Sequence, residues 1–261
     1  MTTSNRFAYV QARLQARHGR RPSDDRWRLL ESTPDLASYL QAARATSLRP
    51  WVVHLASEAD THQVERSLRT DWALYVSQIA SWMPAKWKDA VDWLSTLPYL
   101  PHFVHLMRNE PVPRWMLDDP VLAKASQADP DRRRDALALS PLARLVFETG
   151  WDISPVTAWF DVWKDMCPGT DDKSGAALNR IRHDYQTHTA AIQENALAHP
   201  VGPPLRHRLA QRLNIAFRQH SGRIPAVFAH LGLMALDVER LRGGLVLRVL
   251  FPEPAGRPQW A

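Results

Sequence analysis

Apolar positions recur every third or fourth residue along most of this chain, the signature of helices that bury one face. The longest stripe runs from Val64 through Leu68, Trp72, Tyr75, Ile79 and Trp82 until Pro84 stops it. Ser57-Glu58-Ala59-Asp60 reads as a capping box that opens this helix. A second helix follows with Trp87, Val91 and Leu94 and ends near Pro98; a third, short one carries Phe103, Leu106 and Met107. The link Met83-Pro84-Ala85 is short enough to make the first two an antiparallel hairpin. Upstream, Phe7, Val10 and Leu14 share a face, with Arg13 and Arg17 alongside. Downstream, Leu178, Ile181, Tyr185, His188 and Ile192 make one stripe, which Pro200 stops. Leu205, Leu209, Leu213 and Phe217 make the next, and Val227, Leu231, Met234, Val238 and Leu241 the last. Leu245 to Phe251 is apolar enough for a strand, but nothing nearby offers it a partner, so it reads as the end of the last helix.

Proline placement sharpens the pattern. Thr33-Pro34, Asp119-Pro120, Asp129-Pro130, Ser140-Pro141 and Ser154-Pro155 each set an N-cap residue before a proline. A proline at the first helical position gives up only an N–H that would have had no partner. Each pair is therefore read as a helix start. The fold class is all-α, built of antiparallel helical hairpins. Pro111 and Pro113 mark the end of the first module (1–110). A reduced middle module (111–170) ends at the loop Pro168-Gly169-Thr170-Asp171-Asp172, the third covers 171–253, and 254–261 is a loose tail.

Composition agrees and narrows the class. The 261 residues are 45% hydrophobic and 23% charged, with 10 Gly against 20 Pro, a balance that suits helices better than Gly-rich β-turns. Met1 to Asn5 contains no apolar signal core, and the weakly polar stretch from Ile224 to Val238 is too short to span a bilayer. Cys167 is alone, so neither an internal disulfide nor a cysteine zinc site can form, and the compartment reads as cytoplasmic. The net charge of +6 points to an acidic partner: nucleic acid, anionic headgroups or an acidic protein surface. Solvated helix faces explain it more simply, since the largest basic run, Arg132-Arg133-Arg134, is flanked by Asp131 and Asp135. Nucleic acid is thus the second choice of partner.

Candidate chemistry is sparse. His102 and His105 stand three apart and His183 and His188 five apart, with no carboxylate pattern to complete a metal site. Asp118-Asp119 and Asp171-Asp172 precede a helix or fill a loop, where capping explains them better than acid–base work. No G-x-S-x-G, P-loop, G-x-G-x-x-G or H-E-x-x-H run occurs. Cys167 precedes a Pro-Gly turn, a poor setting for a nucleophile. The sequence therefore predicts no enzyme, no cofactor, no metal and no small-molecule substrate. Its 11 Trp fall at helical spacing and read as core before they read as a docking or stacking platform.

The run Phe7-Ala8-Tyr9-Val10-Gln11-Ala12-Arg13-Leu14-Gln15-Ala16-Arg17-His18-Gly19 is similar to the opening of the C-type central-stalk subunit of bacterial and archaeal V-type ATPases, a family that includes the d-type subunit of the eukaryotic enzyme. Leu29-Leu30 and Asp35 to Leu40 stand where that family has a short helix and a Leu-rich segment. Val64 to Arg69 through Ile79, Ala90-Val91-Asp92-Trp93-Leu94 and Leu106-Met107-Arg108 resemble its long hairpin. Ala226 to Arg242, with Glu239-Arg240-Leu241-Arg242, resembles its closing helix. Between them the chain aligns by helix pattern and by the start Ser140-Pro141-Leu142-Ala143. Gln15 replaces the second basic residue of the opening motif, and Leu97 to His102 replaces the family's polar link. The chain is also shorter than typical members.

That resemblance implies a funnel of three helical modules that rests on the proteolipid ring and receives the tip of the rotating shaft. Such a part is non-catalytic. Its partners are the shaft subunits and the ring of a V-type ATPase, and it touches the membrane only through that complex, on the cytoplasmic face. The expected contacts with shaft or ring are Arg13, Arg17, Arg69, Arg240 and Arg242.

Overall fold

A computed structural model describes residues 3–107, 110–123, 125–126, 129–139, 145, 155–195 and 202–252. Among these residues every regular element is helical and none is a strand. The chain opens with α1 (Thr3–His18), α2 (Asp24–Glu31), α3 (Leu36–Arg44) and the single turn α4 (Arg49–Val52). The long α5 (Thr61–Trp82) turns at Met83-Pro84 into α6 (Ala85–Asp92), which tightens into a 3-10 segment (Trp93–Tyr99) before α7 (Leu100–Met107). Two short helices follow, α8 (Arg114–Leu117) and α9 (Pro130–Ala138). The last four are α10 (Pro155–Met166), α11 (Asp172–Asn195), α12 (Gly202–Gln219) and α13 (Ile224–Leu250).

Local chemistry explains most boundaries. The capping box of α5 sits at Asp60, not Ser57. The Asp60 carboxylate accepts the Gln63 N–H at 2.8 Å, and the Gln63 side chain accepts the Asp60 N–H at 3.0 Å. The Ser57 hydroxyl is occupied instead by the neighbouring Glu58 carboxylate. Pro130 and Pro155 do open α9 and α10. Thr33-Pro34 does not open α3: its N-cap is Asp35, which accepts from Ser38, while the Thr33 hydroxyl is bonded back to the Leu30 carbonyl. Asp119-Pro120 opens a turn, with the carboxylate accepting the N–H groups of Val121 and Leu122. Ser140-Pro141 lies outside the described residues. In the loop before α11, Asp171 accepts the Ser174 N–H at 2.8 Å and caps the helix.

Of the predicted stripe, Val64, Leu68, Trp72, Ile79 and Trp82 are buried along α5; Tyr75 is only partly buried, and Val76, outside the stripe, is buried as well. The α5–α6 hairpin forms, and the Trp72 indole N–H donates to the Leu94 carbonyl at 2.8 Å just beyond it. Eight tryptophans on the described helices and turns are buried: Trp27, Trp51, Trp72, Trp82, Trp87, Trp93, Trp159 and Trp163. The hub is α13. Its residues Ile224 to Met234 are all buried, a pattern that only a helix covered on every side can show. It packs against α1, α3, α5, α11 and α12, and it continues through Leu245 to Leu250 as a helix. The buried core is continuous from Val10 to Leu245 and crosses both expected module boundaries. No helix among the described residues is long and apolar enough to cross a membrane.

Candidate functional site

The first helix is fixed from below. Val10 and Leu14 are buried against the core, and the Gln11 side chain accepts the N–H of Gly222 at 3.0 Å. Gly222 has φ 76, a left-handed conformation that a side chain resists, at the turn between α12 and α13. With that face committed, Arg13 and Arg17 come out together beside α5. The Arg17 guanidinium lies 4.8 Å from the Tyr75 ring centre and 4.6 Å from that of Trp82, and it donates to the Gln78 side-chain oxygen at 2.5 Å. Arg13 lies 4.4 Å from the same Trp82 ring and 5.2 Å from Tyr9. One buried indole thus carries two guanidinium groups, and among the described residues neither has a carboxylate partner.

Beneath this pair lies a polar seam between α1, α5 and α13. The Tyr75 oxygen is 2.7 Å from Nε2 of His230, which is fully buried. Burial pushes the Tyr75 phenol up to about 12 and the His230 imidazole down to about 3. Both groups are therefore neutral near pH 7, and one hydrogen bond joins the phenol and the imidazole. His18 stacks on Phe217 at 4.3 Å, and burial, with Arg21 and Arg218 nearby, lowers its pKa. Arg21 grips Asp237 with both ends of its fork, at 2.6 and 3.0 Å. Burial holds the Asp237 carboxyl above its ordinary range even though Arg21 pulls the other way.

Further along α13, Arg240 binds Glu31 at 2.6 and 2.8 Å and lies over Trp27, while Arg242 reaches Glu65 at 2.5 Å. The buried Arg248 donates to the carbonyls of Glu31, Thr33 and Gly244, with its guanidinium 4.2 Å over the Tyr39 ring. Arg69 turns inward. It is 3% exposed and bonded to the buried Asp119 at 2.8 Å, with Glu65 at 3.9 Å and His102 at 3.4 Å. Its surroundings leave no path to a partner's surface, because an arginine so placed neutralises Asp119. Of the five arginines expected to make contacts, Arg13 and Arg17 offer unclaimed charge, Arg240 and Arg242 bridge helices, and Arg69 is interior.

The remaining candidates are separated or otherwise engaged. Burial and Arg69 push His102 down to about 4. His105 is held by Glu110 at 2.7 Å and by the Pro111 carbonyl at 2.9 Å. His183 is exposed, whereas His188 is half-buried with a lowered pKa. Asp118 faces solvent while Asp119 is buried, and burial pushes the Cys167 thiol up to about 12. No three His, Cys, Asp or Glu among the described residues converge on a common point. The pairings of Arg21 with Asp237, Tyr75 with His230 and Arg69 with Asp119 leave no signal in the sequence. Their partners stand 216, 155 and 50 residues apart, and periodicity reports only local neighbours. Compared with protein-family models, with curated proteins and with solved structures, the chain finds no match in any of the three.

Proposed function

We propose that this protein is a non-catalytic central-stalk adaptor of a V-type rotary ATPase, coupling the rotating shaft to the membrane proteolipid ring in ion transport. Support comes from how the ends of the chain meet. The two segments that resemble the family's opening motif and closing helix, α1 and α13, pack on each other, and the part-buried pair of Arg21, just past α1, with Asp237 ties them. A part that transmits torque needs this kind of stiffness, and α13 is held along its length by five other helices. Among the described residues the two arginines of the opening motif have no carboxylate partner, which leaves their charge for an acidic shaft or ring surface. Arg240 and Arg242 reach such a surface only by exchanging Glu31 and Glu65 for a partner's carboxylates.

The alternative is an Arg-rich helical module that binds nucleic acid or protein. It draws on α1 and α12, which contain no acidic residue and meet through His18 and Phe217. A tagged chain incubated with membranes of the source organism separates the two. An adaptor retains shaft and proteolipid subunits at low salt and releases them as salt rises. Recovery of nucleic acid with no ATPase subunit overturns the adaptor in favour of the alternative.

A further inference from the structure

The face of α5 beside the arginine pair is an open groove. Asp71, Leu74, Tyr75 and Gln78 line it from α5, and Pro50 and Trp51 from α4, around a volume of about 420 Å³. Leu74 is 64% exposed in the middle of an otherwise amphipathic helix. Tyr75 and Gln78 belong both to the groove and to the seat of Arg17, so the groove ends directly at the Arg13, Trp82 and Arg17 stack. We propose that this groove and arginine stack form one docking site for an amphipathic protein segment, with its apolar side chain on Leu74 and its carboxylate at the arginine stack. The site rests on the adaptor reading for the identity of its occupant, which is then a segment of the shaft.

Charge complementarity selects the carboxylate. The indole of Trp82 holds both guanidinium groups in place without neutralising them, so little side-chain freedom remains to be lost on binding. A planar guanidinium matches a carboxylate at two points, and two of them stacked on one ring define a direction of approach. A nucleic acid fits less well. Asp71 in the groove repels a phosphate backbone, and the rings of Trp51 and Trp82 are only 3% and 9% exposed, too covered for bases to stack on. An apolar wall beside a basic shelf suits an amphipathic peptide.

The test titrates the full chain with recombinant shaft subunits of the ATPase by calorimetry. Three variants are compared: Leu74→Arg, the double variant Arg13→Glu with Arg17→Glu, and Arg208→Glu, an exposed control on α12. Both groove variants are expected to bind at least about tenfold more weakly, and the control within about twofold of the unaltered chain. Circular dichroism checks folding; if the double variant fails it, Leu74→Arg decides alone, since its side chain is exposed. Equal binding by all variants overturns the groove and leaves the adaptor standing. No binding by the unaltered chain overturns both. Parallel titrations use a short DNA duplex and phosphatidylglycerol vesicles; binding of either that the groove variants abolish overturns assignment to a protein partner.

Discussion

Leu68 is 3% exposed in the middle of the α5 stripe, and truncating it leaves a hole that rigid helices on either side fill poorly. Leu68→Ala is expected to cost about 2–5 kcal/mol in urea unfolding. A change under about 0.5 kcal/mol contradicts the packing of the hairpin. At Arg69, the next residue, the resemblance implies a shaft or ring contact, whereas the side chain lies inside the fold. Its partner, Asp119, is 50 residues away and has the sequence context of a helix cap. His230 is hidden for the same reason: a histidine in an apolar run carries no sign that a tyrosine 155 residues earlier will meet it. Its burial has a pH consequence. Unfolded, the imidazole titrates near its ordinary 6.5; folded, it titrates near 3. Between those values the unfolded chain binds the extra proton, so stability is complete above about 6.5 and falls as pH drops. His18 and His102, both lowered, act in the same direction. His230→Gln keeps a hydrogen-bonding partner for Tyr75 and removes the titration. Urea midpoints should fall less for this variant than for the unaltered chain between about pH 7 and about pH 4.5. Parallel slopes refute a neutral, buried His230.

Helices themselves are legible because their signals are local. Stripes, prolines and cap residues lie within a turn or two of what they control, and α5, α9 and α10 begin within a few residues of where those signals stand. The signals mislead where two groups compete for one role, as at α3, whose cap is Asp35 and not Thr33. Close approach between helices is a different matter, since one sequence does not show which helix lies opposite. In α13 the space a Cβ would need at Gly232 is filled by the Tyr185 hydroxyl of α11, with Leu213 at 3.0 Å. Gly243 has nothing within 4 Å of the same position. The intrinsic preference of a helix for alanine therefore decides at Gly243 and packing decides at Gly232. Gly243→Ala should stabilise by about 0.5–1 kcal/mol, while Gly232→Ala should destabilise by about 1–3 kcal/mol despite the same preference. Thermal unfolding of the two variants checks this directly, and shifts of the same sign would refute the close packing of α11 on α13.

At the scale of the whole molecule, the last helix is buried against both early and late elements, so the chain closes on itself only when α13 is in place. The all-helical class is readable from periodicity; the hub is not, because periodicity shows that a face is buried without saying beneath what. The proposed docking face is half readable. Arg13 and Arg17 stand out in the opening motif, while the Trp82 ring that supports them belongs to a distant helix, α5. In the proposed role the protein does no chemistry and makes its contribution mechanically. Deleting its gene in the source organism should therefore leave the nucleotide-hydrolysing head active while disconnecting it from the membrane. ATP-driven ion uptake by inverted membrane vesicles, measured beside ATP hydrolysis in the same preparation, reads both at once. The account predicts that deletion abolishes uptake while hydrolysis persists, and that adding back the purified chain restores uptake. Undiminished uptake in vesicles lacking the protein would contradict it.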